Sequence, residues 1–273
     1  MAATQTSDAD VIARLINVRG PATAPLDAAL EYLRARVGRV LPTYVLAMAP
    51  HAVVTVLLID AVVGGQRSPI AALCLWLTAA TVWRWAWLAR LQYDVQRDLR
   101  EATQARFWAR LPAVLLVRLC ANVAITWGSI AFGVPAFVGL FIGGFAAPLL
   151  LENAQPVLPR LRACASWTFH AGRRLMRVTL IMSIVTLIGI VAAFASQAVL
   201  VNTILPSLLG LDTADLNVTM DSWAWRLRVL YALFLALDAY WTVACVFLYY
   251  DSQSRRTATD LRVRLLDLTK GPA

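Results

Sequence analysis

Apolar residues fall in blocks of about twenty along most of the chain, separated by short polar stretches. A helix needs about 20 apolar residues to cross a hydrocarbon core of about 30 Å. The blocks that meet this length are Leu41–Val63, Pro69–Leu88, Leu111–Ile130, Pro135–Leu151, Val178–Leu200 and Val229–Tyr250. The third and fourth are nearly continuous from Leu111 to Glu152, roughly twice the length of one crossing. Inside that stretch "TWGSIAFGVP" (Thr126–Pro135) offers Trp, Ser, Gly and Pro for a turn, so it predicts two crossings joined by a very short loop.

Polar and apolar positions before and after these blocks predict amphipathic helices. Ser7-Asp8-Ala9-Asp10 resembles a capping box ahead of Val11, Ile12, Leu15 and Ile16, with Gly20 as the stop. Pro25 suits the first turn of a second helix. Its stripe is Leu26, Leu30, Leu33 and Val37, with Asp27, Glu31 and Arg34 opposite. A basic amphipathic helix of this kind lies along a membrane surface and leads into the first span; docking on a soluble partner is the alternative. Leu261, Leu265 and Leu268 predict a short amphipathic tail helix. Between spans two and three, "RLQYDVQRDLREATQARFWAR" is highly charged and helix-permissive, so span two is expected to extend into it. It reads as a solvated loop, or alternatively as a docking helix for a cytosolic subunit. The chain thus divides into an interfacial segment (1–40), a transmembrane domain (41–250) and a tail (251–273).

Composition agrees. The 273 residues are 60% hydrophobic and 15% charged, and mean hydropathy is +0.65. A soluble globular domain is nearer half apolar and a quarter charged. The net charge of +9 would suit a nucleic-acid binder only if it formed a patch. Here the cations sit between apolar blocks, and no nucleic-acid partner is expected. Clusters occur at Arg14, Arg19, Arg34, Arg36 and Arg39; at Arg90, Arg97, Arg100, Arg106 and Arg110; at Arg160, Arg162, Arg173, Arg174 and Arg177; and from Arg255 to Lys270. The other side carries Arg67, Arg226 and Arg228 beside Asp212, Asp215 and Asp221. Cytoplasmic loops retain Lys and Arg, so the pattern predicts an all-α polytopic protein of the bacterial inner membrane, with six transmembrane helices and both termini cytoplasmic. Trp83, Trp85, Trp87, Trp127, Trp223 and Trp225 fall at the predicted interfaces, where aromatic rings concentrate. The first apolar block opens near residue 41, so no secretory signal peptide is expected.

Candidate chemistry is sparse. No H-E-x-x-H, G-x-S-x-G or phosphate-loop motif is present. Cys74, Cys120, Cys164 and Cys245 lack metal-ligand spacing and read as small buried hydrophobes. No catalytic residue, metal or cofactor is expected. The informative residues are polar groups within spans: His51, Asp60, Arg84, Arg118, Asn122, Gln197 and Asp238. Charges there are expensive and pair. Arg118 is expected to pair with Asp238, and Asp60 with Arg226 or Arg228. The alternatives are that Arg84 and Arg118 snorkel to the interface, or that His51 and Asp238 line a transport or proton path. Gly139, Gly143 and Ala147 recur every four residues, a spacing that lets helix backbones approach. Packing within the monomer is expected ahead of a dimer interface. After Glu152, Pro156 and Pro159 break the helix; a short basic surface helix with Trp167 and Phe169 comes next. Glu152 is expected to bond the backbone or an arginine of this turn, among Arg160, Arg162, Arg173 and Arg174.

The Arg-rich leading helix, the Glu152 that closes span four, the basic segment "RLRACASWTFHAGRRLMRV" and the Tyr249-Tyr250-Asp251 that ends span six carry a resemblance. The chain resembles a broad bacterial family of six-helix proteins that includes the membrane domain of glycerophosphodiester phosphodiesterases. The family often continues Tyr-Tyr-Asp directly with Leu-Arg-x-Arg; here "SQSRRTAT" intervenes before Asp260-Leu261-Arg262-Val263-Arg264. The phosphodiesterase catalytic domain is absent, so that activity does not carry over. The resemblance implies a helical membrane module of an envelope assembly. The expected function is a non-enzymatic inner-membrane subunit that organises lipids or partner proteins. Its expected partners are membrane lipids and other membrane or cytosolic subunits. The alternative is the permease subunit of an ATP-driven exporter whose ATPase is on another chain.

Overall fold

The computed structural model describes residues 23–99, 107–130, 134–151, 158–159, 162, 166, 172–199, 204, 207 and 223–269, with side chains at all of these except 126–130, 134–138, 197–198 and 254–269. The main helices are α1 (Ala24–Val63), α2 (Ile70–Leu99), α3 (Phe107–Ile130), α4 (Val134–Leu151), α5 (Gly172–Val199) and α6 (Trp223–Thr269). Among the described residues there is no strand. Of these helices, α1, α2, α3, α5 and α6 are long and apolar enough to cross a membrane; α4 contributes a shorter apolar segment, Gly139–Leu151. The chain is a multi-pass helical membrane protein.

Local chemistry explains the boundaries. The Thr23 carbonyl accepts from the amides of Leu26 and Asp27 at 2.8 and 3.0 Å. Pro25 occupies the first turn, where its missing N–H costs nothing. Asp27 in that turn complements the helix dipole. The expected surface helix and first span are one element of 40 residues, broken only by the non-helical backbone of Arg36 (φ −120°, ψ 21°). At the far end the Gln66 amide reaches the Ala61 carbonyl at 2.9 Å and the Gly65 amide reaches Val62 at 3.3 Å. This Schellman cap requires a left-handed residue, and Gly65 supplies it at φ 66°.

The split of the Leu111–Glu152 stretch into two helices holds, as does the extension of span two, which reaches Leu99. The separate tail helix does not: residues 251–269 continue α6 without interruption. The Ser7–Gly20 helix lies outside the described residues.

The helices divide into two compact units. The first comprises Met1–Thr43, Trp85–Val178 and Tyr240–Ala273; the second comprises Tyr44–Arg84 and Thr179–Ala239. The first unit is built round α6, whose residues Thr242–Asp251 are buried on every side. A helix apolar all round needs neighbours all round. Phe247 takes Tyr32 of α1 edge-on at 5.9 Å. Trp241 meets Phe141 of α4 at 6.0 Å, and Tyr249 meets Phe145 at 6.0 Å. The Tyr240 hydroxyl donates to the Leu26 carbonyl at 3.0 Å.

The leading segment of α1 is therefore docked on its own unit through Leu26, Ala29 and Tyr32. Of its predicted stripe, Leu26 is buried whereas Leu30 and Val37 are exposed. Val37 lies just beyond the break at Arg36, which turns it off the face that Leu26 defines.

The small-residue stripe of α4 faces α3. A methyl group added at Gly139 would fall 2.9 Å from the Ala121 carbonyl oxygen, and one at Gly143 would fall 3.1 Å from the Ala121 Cβ. Ala147 is fully buried against Val114, Val117 and Ala89. The packing is intramolecular, as expected. Gly139→Ala should cost about 1–3 kcal/mol because a backbone atom blocks the new methyl. Gly38→Ala, with nothing within 4 Å, should be neutral or slightly stabilising. Thermal unfolding of the two variants in detergent checks this contrast.

Candidate functional site

The first unit buries a set of polar side chains that sequence patterning placed in a solvated loop. Gln92 and Gln96 stand one turn apart on α2, and both are almost fully buried. Gln92 Nε2 donates to the Gly144 carbonyl at 3.1 Å and to the Thr242 carbonyl at 3.0 Å. Gln96 Nε2 donates to the Pro148 carbonyl at 3.0 Å and to the Tyr250 hydroxyl at 3.1 Å.

The choice of acceptors has a cause. Pro148 lies inside α4 and has no N–H, so the Gly144 carbonyl four residues earlier has lost its helical donor. The Pro148 carbonyl sits in the last turn of the helix, where carbonyls are unpaired by geometry. In a low-dielectric interior an unpaired carbonyl is costly. The two glutamine amides supply the donors that α4 cannot. Gly144 itself permits the approach of α6: a methyl there would fall 2.6 Å from Cys245 Sγ.

Arg118 completes this arrangement. Its Nη2 donates to Gln92 Oε1 at 2.7 Å, and its Nη1 donates to the Trp85 carbonyl at 2.7 Å. By accepting, Gln92 Oε1 fixes which way the amide points, and so aims Nε2 at Gly144. The carbonyl of Arg118 accepts from Asn122 at 2.9 Å.

Where the buried stretch of α6 ends, Asp251 is paired with Arg174 of α5, with Nε 3.0 Å from Oδ2 and Nη2 3.4 Å from Oδ1. This joins two groups that sequence reading kept apart, the basic turn and the Tyr249-Tyr250-Asp251 motif. Arg162 and Arg173 are exposed; Glu152 and Arg160 lie outside the described residues. Further out, Asp98 accepts from Tyr32 and Arg39, each at 2.9 Å. Burial, reinforced by the Asp98 charge, pushes the Tyr32 hydroxyl well above its usual range, so it remains a donor. Arg39 is 60% exposed, and such a pair contributes little. Burial likewise raises the Asp94 carboxyl, partly offset by Arg90, which lies 3.2 Å away.

The second unit holds the other charges. Arg84 Nη2 donates to Asp238 Oδ1 at 2.8 Å, with the two side chains only 13% and 12% exposed. The guanidinium also lies over the Phe234 ring at 5.1 Å. The expected Arg118–Asp238 pair is thereby corrected. The described partners of Arg118 are neutral acceptors, and Arg84 neutralises Asp238. Hydropathy gives the depth of a residue along its own helix but not which helix is its neighbour. The pairing of Asp60 is as expected, with Arg228 as the partner; Arg226 instead stacks on Trp223 at 5.6 Å. The Tyr44 hydroxyl donates to the Leu235 carbonyl, and Trp83 Nε1 donates to the Leu46 carbonyl at 2.9 Å. His51 Nδ1 lies 2.5 Å from the Tyr231 hydroxyl.

Cys245 is buried as expected, but Cys74 and Cys120 are exposed. An apolar block does not distinguish a helix face turned to its neighbours from one turned to lipid. Cys164 lies outside the described residues.

No family model matches this chain, and no curated protein or solved structure matches it either.

Proposed function

We propose that the chain is a non-enzymatic subunit of a bacterial inner membrane, with six crossings and both termini cytoplasmic, which organises lipids or partner proteins in an envelope assembly. The observation that carries this reading is how the buried polar groups are used. Gln92, Gln96 and Arg118 direct their donors at backbone carbonyls of neighbouring helices and at one another. These side chains hold helices together. Arginine-rich segments flanking the spans favour a cytoplasmic face that meets anionic lipid or an acidic partner. The resemblance at Tyr249-Tyr250-Asp251 supports the same assignment, with Asp251 engaged in fixing α5 to α6.

A second reading, the permease subunit of an ATP-driven exporter, is favoured by the half-buried polar seam of α1 and α6 in the second unit, centred on His51 and Tyr231.

Purification of the full chain in mild detergent, with identification of bound proteins and lipids, separates the two. The expected result is retained phospholipid and a membrane or cytosolic partner without nucleotide-binding motifs. Stoichiometric recovery of an ATPase subunit would instead establish the exporter.

A further inference from the structure

His51 is not explained by packing. It sits ten residues into the apolar block Leu41–Val63, about 15 Å from the start of the block at about 1.5 Å per residue. A hydrocarbon core is about 30 Å thick, so the imidazole lies near its midplane. It stacks on Tyr231 with ring centroids 5.9 Å apart. Tyr231 Oη at 2.5 Å and Thr55 Oγ1 at 3.4 Å both face Nδ1. Among the described residues nothing bonds Nε2, and the ring is only half-buried. An imidazole has two nitrogens to satisfy. One left open in hydrocarbon costs several kcal/mol, on the order of an unmade hydrogen bond. Polar side chains at that depth face the bundle or a water-filled cavity.

At the Val63 end of α1 the side chains of Asp60 and Arg228 are 42% and 38% exposed. His51 and Tyr231, half-buried like both ion pairs, come next along the α1–α6 seam. Deeper, the side chains of Arg84 and Asp238 are 13% and 12% exposed. Phe234 links the last two levels, stacked on Tyr231 at 6.1 Å and covered by Arg84. Tyr44, His51 and Thr55 share one face of α1, at helical spacing; Val53 and Leu57, 60% and 50% exposed, lie on another.

We propose that a water-filled cleft follows this seam from the Asp60–Arg228 pair to His51, admits water and small hydrogen-bonding solutes to the midplane, and is closed at its deep end by the Arg84–Asp238 pair. His51 Nε2 is the group that meets the solute, and Tyr231 and Thr55 hold the ring in place. The cleft goes beyond a helix-organising role. Its absence would leave that role untouched, whereas its presence is what a translocation pathway needs.

The test uses the full chain in phosphatidylethanolamine–phosphatidylglycerol vesicles. Cys74, Cys120, Cys164 and Cys245 are replaced by serine, and His51→Cys, Thr55→Cys and Val53→Cys are introduced singly. A membrane-impermeant thiosulfonate reacts with thiolate, which forms in water and not in lipid. In monodisperse preparations, His51→Cys and Thr55→Cys should label roughly tenfold or more faster than Val53→Cys, and from one side of the vesicle only. Thr55→Cys leaves His51 in place and decides the matter should His51→Cys fail to fold. Labelling of Thr55→Cys no faster than that of Val53→Cys overturns the cleft, and so does equal labelling of all three positions.

Discussion

Arg84→Leu is expected to be among the most damaging single substitutions in the spans, at about 3–5 kcal/mol, because it strands a buried carboxylate. Asp238 is 12% exposed and its described ion-pair partner is Arg84. Its side chain is short and lies twelve residues from Tyr250, about 18 Å along the helix at about 1.5 Å per residue, so it cannot reach the interface. Asp238→Leu leaves a different problem. Arginine does not deprotonate, but its long stem can carry the charge outward. Asp238→Leu should therefore cost less than Arg84→Leu. The double Leu variant should recover most of the loss, since replacing a buried pair with apolar residues is often neutral. Unfolding measured in lipid nanodiscs for the two single variants and the double variant gives the cycle. Equal, additive losses would mean that the pair does not couple.

The correction from Arg118 to Arg84 shows what a one-dimensional reading carries. Hydropathy blocks and arginine clusters located α2, α3, α5 and α6 to within a few residues at their membrane-embedded ends, because the length of an apolar helix is set by the bilayer. The small-residue spacing at Gly139, Gly143 and Ala147 named the close-packed face correctly, because only a missing side chain lets backbones approach. Partner choice was not legible. Arg84 and Arg118 both look like lone cations in apolar blocks, and nothing local states which helix is adjacent. Gln92 and Gln96 were missed for a different reason. They sit among Arg90, Asp94, Arg97 and Asp98, and that charge density reads as solvent exposure. One signal was present: two neutral amides four residues apart on a helix, and a proline at 148 in an apolar helix elsewhere. A proline interior to a membrane helix always frees a carbonyl. A pair of amides at one-turn spacing is a fitting donor set for it.

That link yields the second large effect. Gln92→Leu should cost about 3–5 kcal/mol, since each stranded buried partner costs about 1–3 kcal/mol and a charged one more. It removes the donor that serves Gly144 and the acceptor that serves Arg118. Interhelical side-chain hydrogen bonds in membranes average only about 0.6 kcal/mol, so a loss of this size would report the stranded backbone acceptor and guanidinium. Pro148→Ala distinguishes this cause from lost packing. Alanine restores an N–H at 148, the Gly144 carbonyl regains its own helical donor, and Gln92 becomes partly dispensable. In the Pro148→Ala background the cost of Gln92→Leu should fall by about 1–2 kcal/mol, the worth of one satisfied buried acceptor. Gln96→Leu supplies the control. Its acceptor is the Pro148 carbonyl itself, which a new amide at 148 does not serve, so its cost should not change. A double-mutant cycle by thermal unfolding in nanodiscs reads all three. If Gln92→Leu costs the same with and without Pro148, the amide is not the substitute for the proline's missing donor.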